Sequence, residues 1–257
     1  MHPFLHPVSM TLLIACCLVG CGRPPVEIPA IQPMTPMQIG RHQLTSDVPG
    51  VGQVRYTLEV PETYDGSQPV PLVLFLHYGY QGARPEPFIG SGMIDTFASG
   101  LNNVGGIGIA PDVTGGDWLT SDNEIAAIYL VRSAIETYNI DRSRVIVCGF
   151  SMGGKGSWFF ASRHSELFTG ALPIAAPVAG STHLRVPAYV VHSKSDQVVS
   201  HSAAQTHVQN VRAAGGRVHF ESLSGVPHHQ MHPYIAGFNA GLLWLTETQP
   251  DPQDPTP

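Results

Sequence analysis

The chain has 257 residues, of which 43% are hydrophobic and 12% charged, with 27 Gly and 23 Pro. It is long and apolar enough to bury one large core, which excludes disorder and coiled coil as its organising state. Its 13 Lys and Arg against 19 Asp and Glu leave a formal charge of −6, and no basic cluster stands ready to neutralise a run of phosphates, so nucleic acid is excluded as a partner.

At the amino end, Val8 to Gly20 form one apolar stretch, too short to cross a bilayer as a helix and of the length of a signal-peptide core. Residues 1–20 are therefore expected to be a removable leader. Leu18-Val19-Gly20-Cys21 resembles the lipobox of bacterial lipoproteins. That resemblance implies lipidation of Cys21, export, and attachment through the lipid alone to the cell envelope, on its periplasmic or outer face. Pro24, Pro25, Pro29, Pro33 and Pro36 then predict an extended tether over residues 21–48. One domain is expected over 49–248, and Pro250, Pro252, Pro255 and Pro257 predict a disordered tail over 249–257. With Cys16 and Cys17 in the leader and Cys21 lipidated, Cys148 has no intramolecular disulfide partner.

Within the body, short β-branched runs alternate with longer amphipathic segments. Val54 to Val60, Val70 to Leu76, Ile107 to Ala110, Arg144 to Cys148, Leu172 to Ala175, Ala188 to His192 and Val218 to Leu223 read as strands. Several are apolar throughout, the pattern of a mostly parallel sheet covered by helices on both faces. Arg84 to Gly100 reads as a loop with one helix. Ser121-Asp122-Asn123-Glu124 has the form of a capping box and opens a helix to near Tyr138. Further helices are expected after Gly153, over Ser202 to Ala214 before Gly215-Gly216, and from Tyr234 to Leu245.

Gly149-Phe150-Ser151-Met152-Gly153 matches G-x-S-x-G, between a predicted strand and a predicted helix. A sharp strand-to-helix turn forces its Ser into a strained backbone conformation, and small residues two positions away on either side avoid collision. Such a turn exposes Ser151 Oγ and aims the Met152 N–H at a developing oxyanion. The same letters nearly satisfy the phosphate-loop pattern through Gly154-Lys155, but Gly156 offers no hydroxyl for magnesium.

The stretch from Tyr138 to Phe168, above all Ser151-Met152-Gly153-Gly154 followed by Gly156-Ser157-Trp158, resembles the α/β-hydrolase superfamily. It is most similar to the polyhydroxybutyrate-depolymerase-like, feruloyl-esterase-like and prolyl-oligopeptidase-like branch, over roughly residues 54 to 246. The resemblance implies an α/β-hydrolase fold and a triad in the chain order Ser, acid, His. Asp196, in the polar turn after Val190-Val191-His192, fits the acid; its other reading is a cap for the following helix. Asp112 and Asp117 precede Ser151 and are out of order. His228, in Gly225-Val226-Pro227-His228-His229, matches the base, with His229 beside it as the alternative. In His77-Tyr78-Gly79-Tyr80, where relatives show His-Gly-x-Gly, the second oxyanion donor is Gly79 by alignment, with Tyr80 its neighbour, and His77 reads as a loop-orienting residue. Tyr80 and Trp118 are candidate substrate-facing residues, Trp118 having a plain core position as its other reading.

The expected chemistry is that of a serine carboxylesterase on a small-molecule or polymeric ester: His228 deprotonates Ser151, the Met152 and Gly79 amides hold the oxyanion, and water releases the acyl group, with no cofactor required. Two other functions share these residues: a serine peptidase of the prolyl-oligopeptidase-like type, and a non-catalytic tethered binding lipoprotein. A metal reading rests on His229 and His232 beside His228, but Pro227 and Pro233 bracket the run and no H-E-x-x-H is present.

Overall fold

The computed structural model describes residues 24–247. The leader over 1–20, Cys21 and the tail over 249–257 lie outside them. Eight strands form one sheet: β1 (Gly40–Val48), β2 (Gly52–Val60), β3 (Val70–Leu76), β4 (Ile107–Pro111), β5 (Ile140–Phe150), β6 (Gly170–Ile174), β7 (Ala188–Ser193) and β8 (Val218–Leu223). Their order is β1-β2-β4-β3-β5-β6-β7-β8. β1 pairs antiparallel with β2 and β2 antiparallel with β4; every other pairing is parallel. This is the mostly parallel sheet of an α/β-hydrolase fold.

The helices are α1 (Ser91–Asn103), α2 (Ser121–Thr137), α3 (Met152–Arg163), α4 (His201–Ala213) and α5 (Ile235–Glu247). Strand alternation divides the apolar residues between two layers. Leu72, Leu74 and Leu76 of β3 and Val145 and Val147 of β5 pack with α2, α3 and α4. Val73 and Phe75, with Ile146, Cys148 and Phe150, pack instead with α1 and α5. On that second face the Phe97 and Phe238 rings lie 4.5 Å apart. Cys148 is fully buried, and loss of solvation pushes its thiol well above the ordinary range.

Three expectations need correction. The tether expected over 21–48 is not free within the described residues: Gly40–Val48 is the edge strand β1, and the preceding segment docks on the domain. Ile28, Ile31, Met34 and Met37, every third residue, pack against the α2 and α3 face. Three residues is the period of a polyproline II strand, so a Pro-rich segment can present one apolar edge. Its backbone is held as well, by Met34 N–H donating to Thr137 Oγ1 and Met37 N–H to the Tyr138 hydroxyl, each at 2.9 Å. Arg163 also donates to the Pro24 carbonyl. The cap of α2 is Thr120 rather than Ser121; its hydroxyl accepts from Asn123 N–H. Glu124, expected to close a capping box, is instead buried against Arg163 and His164 of the α3 end.

Candidate active site

The chemistry-bearing residues all follow the carboxyl ends of parallel strands, where loops project from one rim of the sheet. Ser151 sits between β5 and α3 at φ 55° and ψ −113°, a left-handed conformation that a residue with a Cβ holds only when its surroundings impose it. Both flanking glycines show why. A Cβ on Gly153 would penetrate the Leu76 carbonyl oxygen, and one on Gly149 would strike the Gly153 backbone and lie 2.8 Å from that same oxygen. β3, β5 and the first turn of α3 are thus packed backbone to backbone. Ser151 N–H is tied to the Ile174 carbonyl at 2.9 Å, and Ser151 O accepts from Lys155 N–H at 2.9 Å, starting α3.

His228 comes to this turn from the loop after β8. Its Nε2 lies 2.9 Å from Ser151 Oγ and its Nδ1 2.7 Å from Asp196 Oδ2. Because the carboxylate only accepts, Nδ1 carries the proton and Nε2 is left to take one from the hydroxyl, an assignment that follows from the bonding pattern. His228 is 3% exposed, whereas His229 is exposed and touches it edge-on at 5.3 Å between ring centroids. The structure therefore joins His228, not His229, to Ser151 and Asp196.

The Asp196 side chain is fully buried in the turn after β7. Its Oδ1 accepts the Val198 and Val199 N–H groups at 2.8 Å each. Burial works to raise its pKa, but the Val199 amide, His228 and the Val198 amide outweigh it and hold the carboxyl below its ordinary value. Asp196 does not cap α4; that place belongs to Ser200, whose hydroxyl accepts from Ala203 N–H.

The loop after β3 lies against the Ser151 turn through the Leu76 and Gly153 contact. Buried His77 fixes its path: Val113 N–H donates to Nε2 at 3.2 Å, so the proton is on Nδ1, which donates to the Tyr78 carbonyl at 2.7 Å. Burial lowers the His77 pKa and keeps the ring in this neutral form. Gly79 is exposed with open space where a Cβ would stand, and Tyr80 is half-buried with its hydroxyl on the Gly116 carbonyl at 3.0 Å. Met152 opens α3, where the first backbone N–H groups have no partner within the helix.

Trp118 does not face a substrate. It is 1% exposed, its indole N–H donates to the His77 carbonyl at 2.9 Å, and α3 packs on it at Gly156. Lys155 is engaged by Asp117 at 2.8 Å. Chain order alone gave no role to Asp112, which accepts from the Phe88 and Gly90 N–H groups and pairs with Arg55, so it moors the loop before α1. Nor did it signal buried His192 beside Asp196. His229 and His232 are both exposed, and among the described residues no group of three or more His, Cys, Asp or Glu is placed to hold a metal ion.

Residues 112–239, which contain Ser151, Asp196 and His228, match the model of the dienelactone hydrolase family. A thermostable esterase of known structure superposes with a TM-score of 0.69 at 24% identity, covering 80% of this chain and 62% of that one. The chain has the α/β-hydrolase fold. It also superposes on Est1E from Butyrivibrio proteoclasticus with a TM-score of 0.63 at 14% identity, over 80% of its own length and 99% of Est1E. Among curated proteins, acyl-protein thioesterase 1 homolog 1 of Dictyostelium discoideum is 29% identical over 108 residues, 39% of this chain and 48% of the thioesterase. The "Probable feruloyl esterase C" of Aspergillus flavus is 23% identical over 209 residues, 77% of this chain and 68% of the esterase. The chain thus spans about half of the thioesterase and under two thirds of the thermostable esterase.

Proposed function

We propose that this protein is a serine hydrolase of carboxylic esters, in which Ser151, His228 and Asp196 act as nucleophile, base and acid. One observation carries the reading: an unbroken line of hydrogen bonds from Ser151 Oγ through both nitrogens of His228 to Asp196, built on a strained nucleophile turn. The names of the matched proteins, which are esterases, a thioesterase and a lactone hydrolase family, support an enzyme acting on esters.

In this mechanism His228 Nε2 takes the Ser151 proton as Oγ attacks the ester carbonyl, and Asp196 stabilises the resulting imidazolium. The Met152 amide, with an amide of Gly79 or Tyr80, receives the oxyanion. The imidazolium returns its proton to the leaving alcohol; water, activated by the same ring, then frees the acid and regenerates Ser151. The test is hydrolysis of short-chain p-nitrophenyl esters beside Ser151→Ala, with a serine-directed phosphonate read by intact mass. Turnover and labelling that both vanish in the variant support the assignment. A folded protein that neither turns over nor labels points to a binding module.

Export with lipid attachment at Cys21 belongs to the same proposal and is supported by Leu18-Val19-Gly20-Cys21. A Cys21→Ser variant that moves from the membrane to the soluble fraction supports it; unchanged partition refutes it.

A further inference from the structure

His192 follows the apolar residues Val190 and Val191 near the carboxyl end of β7 and is fully buried, in a strand flanked by β6 and β8. Its Nε2 lies 3.1 Å from the Val199 carbonyl and 3.4 Å from Asp196 Oδ2, the oxygen that also receives His228. Since the carbonyl and the carboxylate only accept, the proton is on Nε2 and Nδ1 is a bare acceptor. That Nδ1 is buried and has no hydrogen-bond partner among the described residues. A position needing only volume would be filled at less cost by Leu or Val, as its neighbours are; an imidazole that leaves one nitrogen unsatisfied is explained by what the other nitrogen does.

Val199 is held from both sides. Its N–H donates to Asp196 Oδ1 and its carbonyl accepts from His192, so the ring holds the residue whose amide fixes the carboxylate. The other ionisable groups facing His192 are His201 of α4, at 5.8 Å between ring centroids, and His228. We infer that His192 is a positioning residue for the triad: its Nε2–H holds the Val199 carbonyl and the outer edge of Asp196, keeping the carboxylate aligned on His228 Nδ1. The inference rests on the proposed roles of Ser151, His228 and Asp196.

The experiment compares the full chain with His192→Phe, which keeps a ring and removes the donor, and His192→Gln, whose amide nitrogen reaches the place of Nε2. His192→Leu stands in if the Phe variant does not fold. Two quantities are read: kcat and KM on p-nitrophenyl acetate, and the low-field proton of the His228 to Asp196 hydrogen bond by NMR in water. We expect His192→Phe to lower kcat about tenfold with KM within about twofold, the mark of misplaced machinery rather than lost binding. The low-field resonance shifts or broadens in that variant, and His192→Gln restores both quantities. Unchanged kcat and resonance in His192→Phe overturn the inference, whatever happens to the melting temperature. So does a His192→Gln that behaves like His192→Phe, because shape alone is then responsible. If the wild-type chain hydrolyses nothing, the triad reading fails, and the low-field proton still decides whether His192 aligns the pair.

Discussion

Two segments of this chain are dominated by residues that usually mark irregular backbone, and they behave in opposite ways. The glycine-rich turn from Gly149 to Gly153 is rigid because its glycines admit other backbones into contact; one further carbon on Gly153 would collide with Leu76. The proline-rich segment from Pro24 to Gln38 forms no regular element, yet it lies against the body through Ile28, Ile31, Met34 and Met37. The first is specified by clashes of its own glycines with each other's backbone and with that of β3. The second is specified by a distant face of α2 and α3. Gly and Pro therefore report local backbone geometry, while whether a segment is loose depends on what its remaining side chains can reach.

The contrast can be broken by experiment. The largest effect is expected at the turn's chemical output: His228→Ala lowers kcat by about 10⁴-fold or more, while exposed His229→Ala stays within about threefold, measured on the same ester. Equal losses would dissolve the distinction between the two rings. Next comes the turn's steric lock: Gly153→Ala costs about 3 kcal/mol or more, read as loss of soluble folded protein or a collapsed urea midpoint. A smaller effect tests the docked segment. Ile31→Asn combined with Met34→Asn should lower stability by about 2 kcal/mol, or about 4–8 °C in Tm, with kcat unchanged. A free tether would give no shift.

The smallest effect is shared by the whole body. Burial holds His77, His192 and His207 below the ordinary imidazole value of 6.5. Each binds a proton more readily unfolded than folded, so its contribution is complete above that value and is lost as pH falls through it toward the lowered folded values. Urea midpoints measured downward from pH 8 should hold to about pH 6.5 and then fall. A midpoint that rises on acidification would mean that these rings are charged in the fold.

Most of the sheet was legible because most of its strands are apolar runs between turn residues, and the grouping of Ser151, Asp196 and His228 was legible through the chain order that the family resemblance implied, each lying in a turn after a strand. β1 escaped because it is an edge strand whose inward positions His42, Leu44, Ser46 and Val48 alternate polar with aliphatic residues; nine register pairs with β2 supply what its pattern lacks. The cap of α2 fell one residue early because Thr120 and Ser121 both carry hydroxyls and only backbone dihedrals separate them. Trp118 looked available to a substrate because sequence does not reveal that its indole is consumed by the His77 carbonyl. The docked segment had a readable signal, apolar residues at every third position, hidden behind the prolines that make that period possible.

Cys148 has a practical corollary. It is the single cysteine between residues 24 and 247, and burial keeps its sulfur protonated and out of reach. Such a thiol neither exchanges with disulfides nor reacts readily with oxidants or maleimides. Within that body, any cysteine introduced on the surface would be the sole reactive one, so a dye or spin label placed on α4 would report on the Asp196 turn without competing attachment sites.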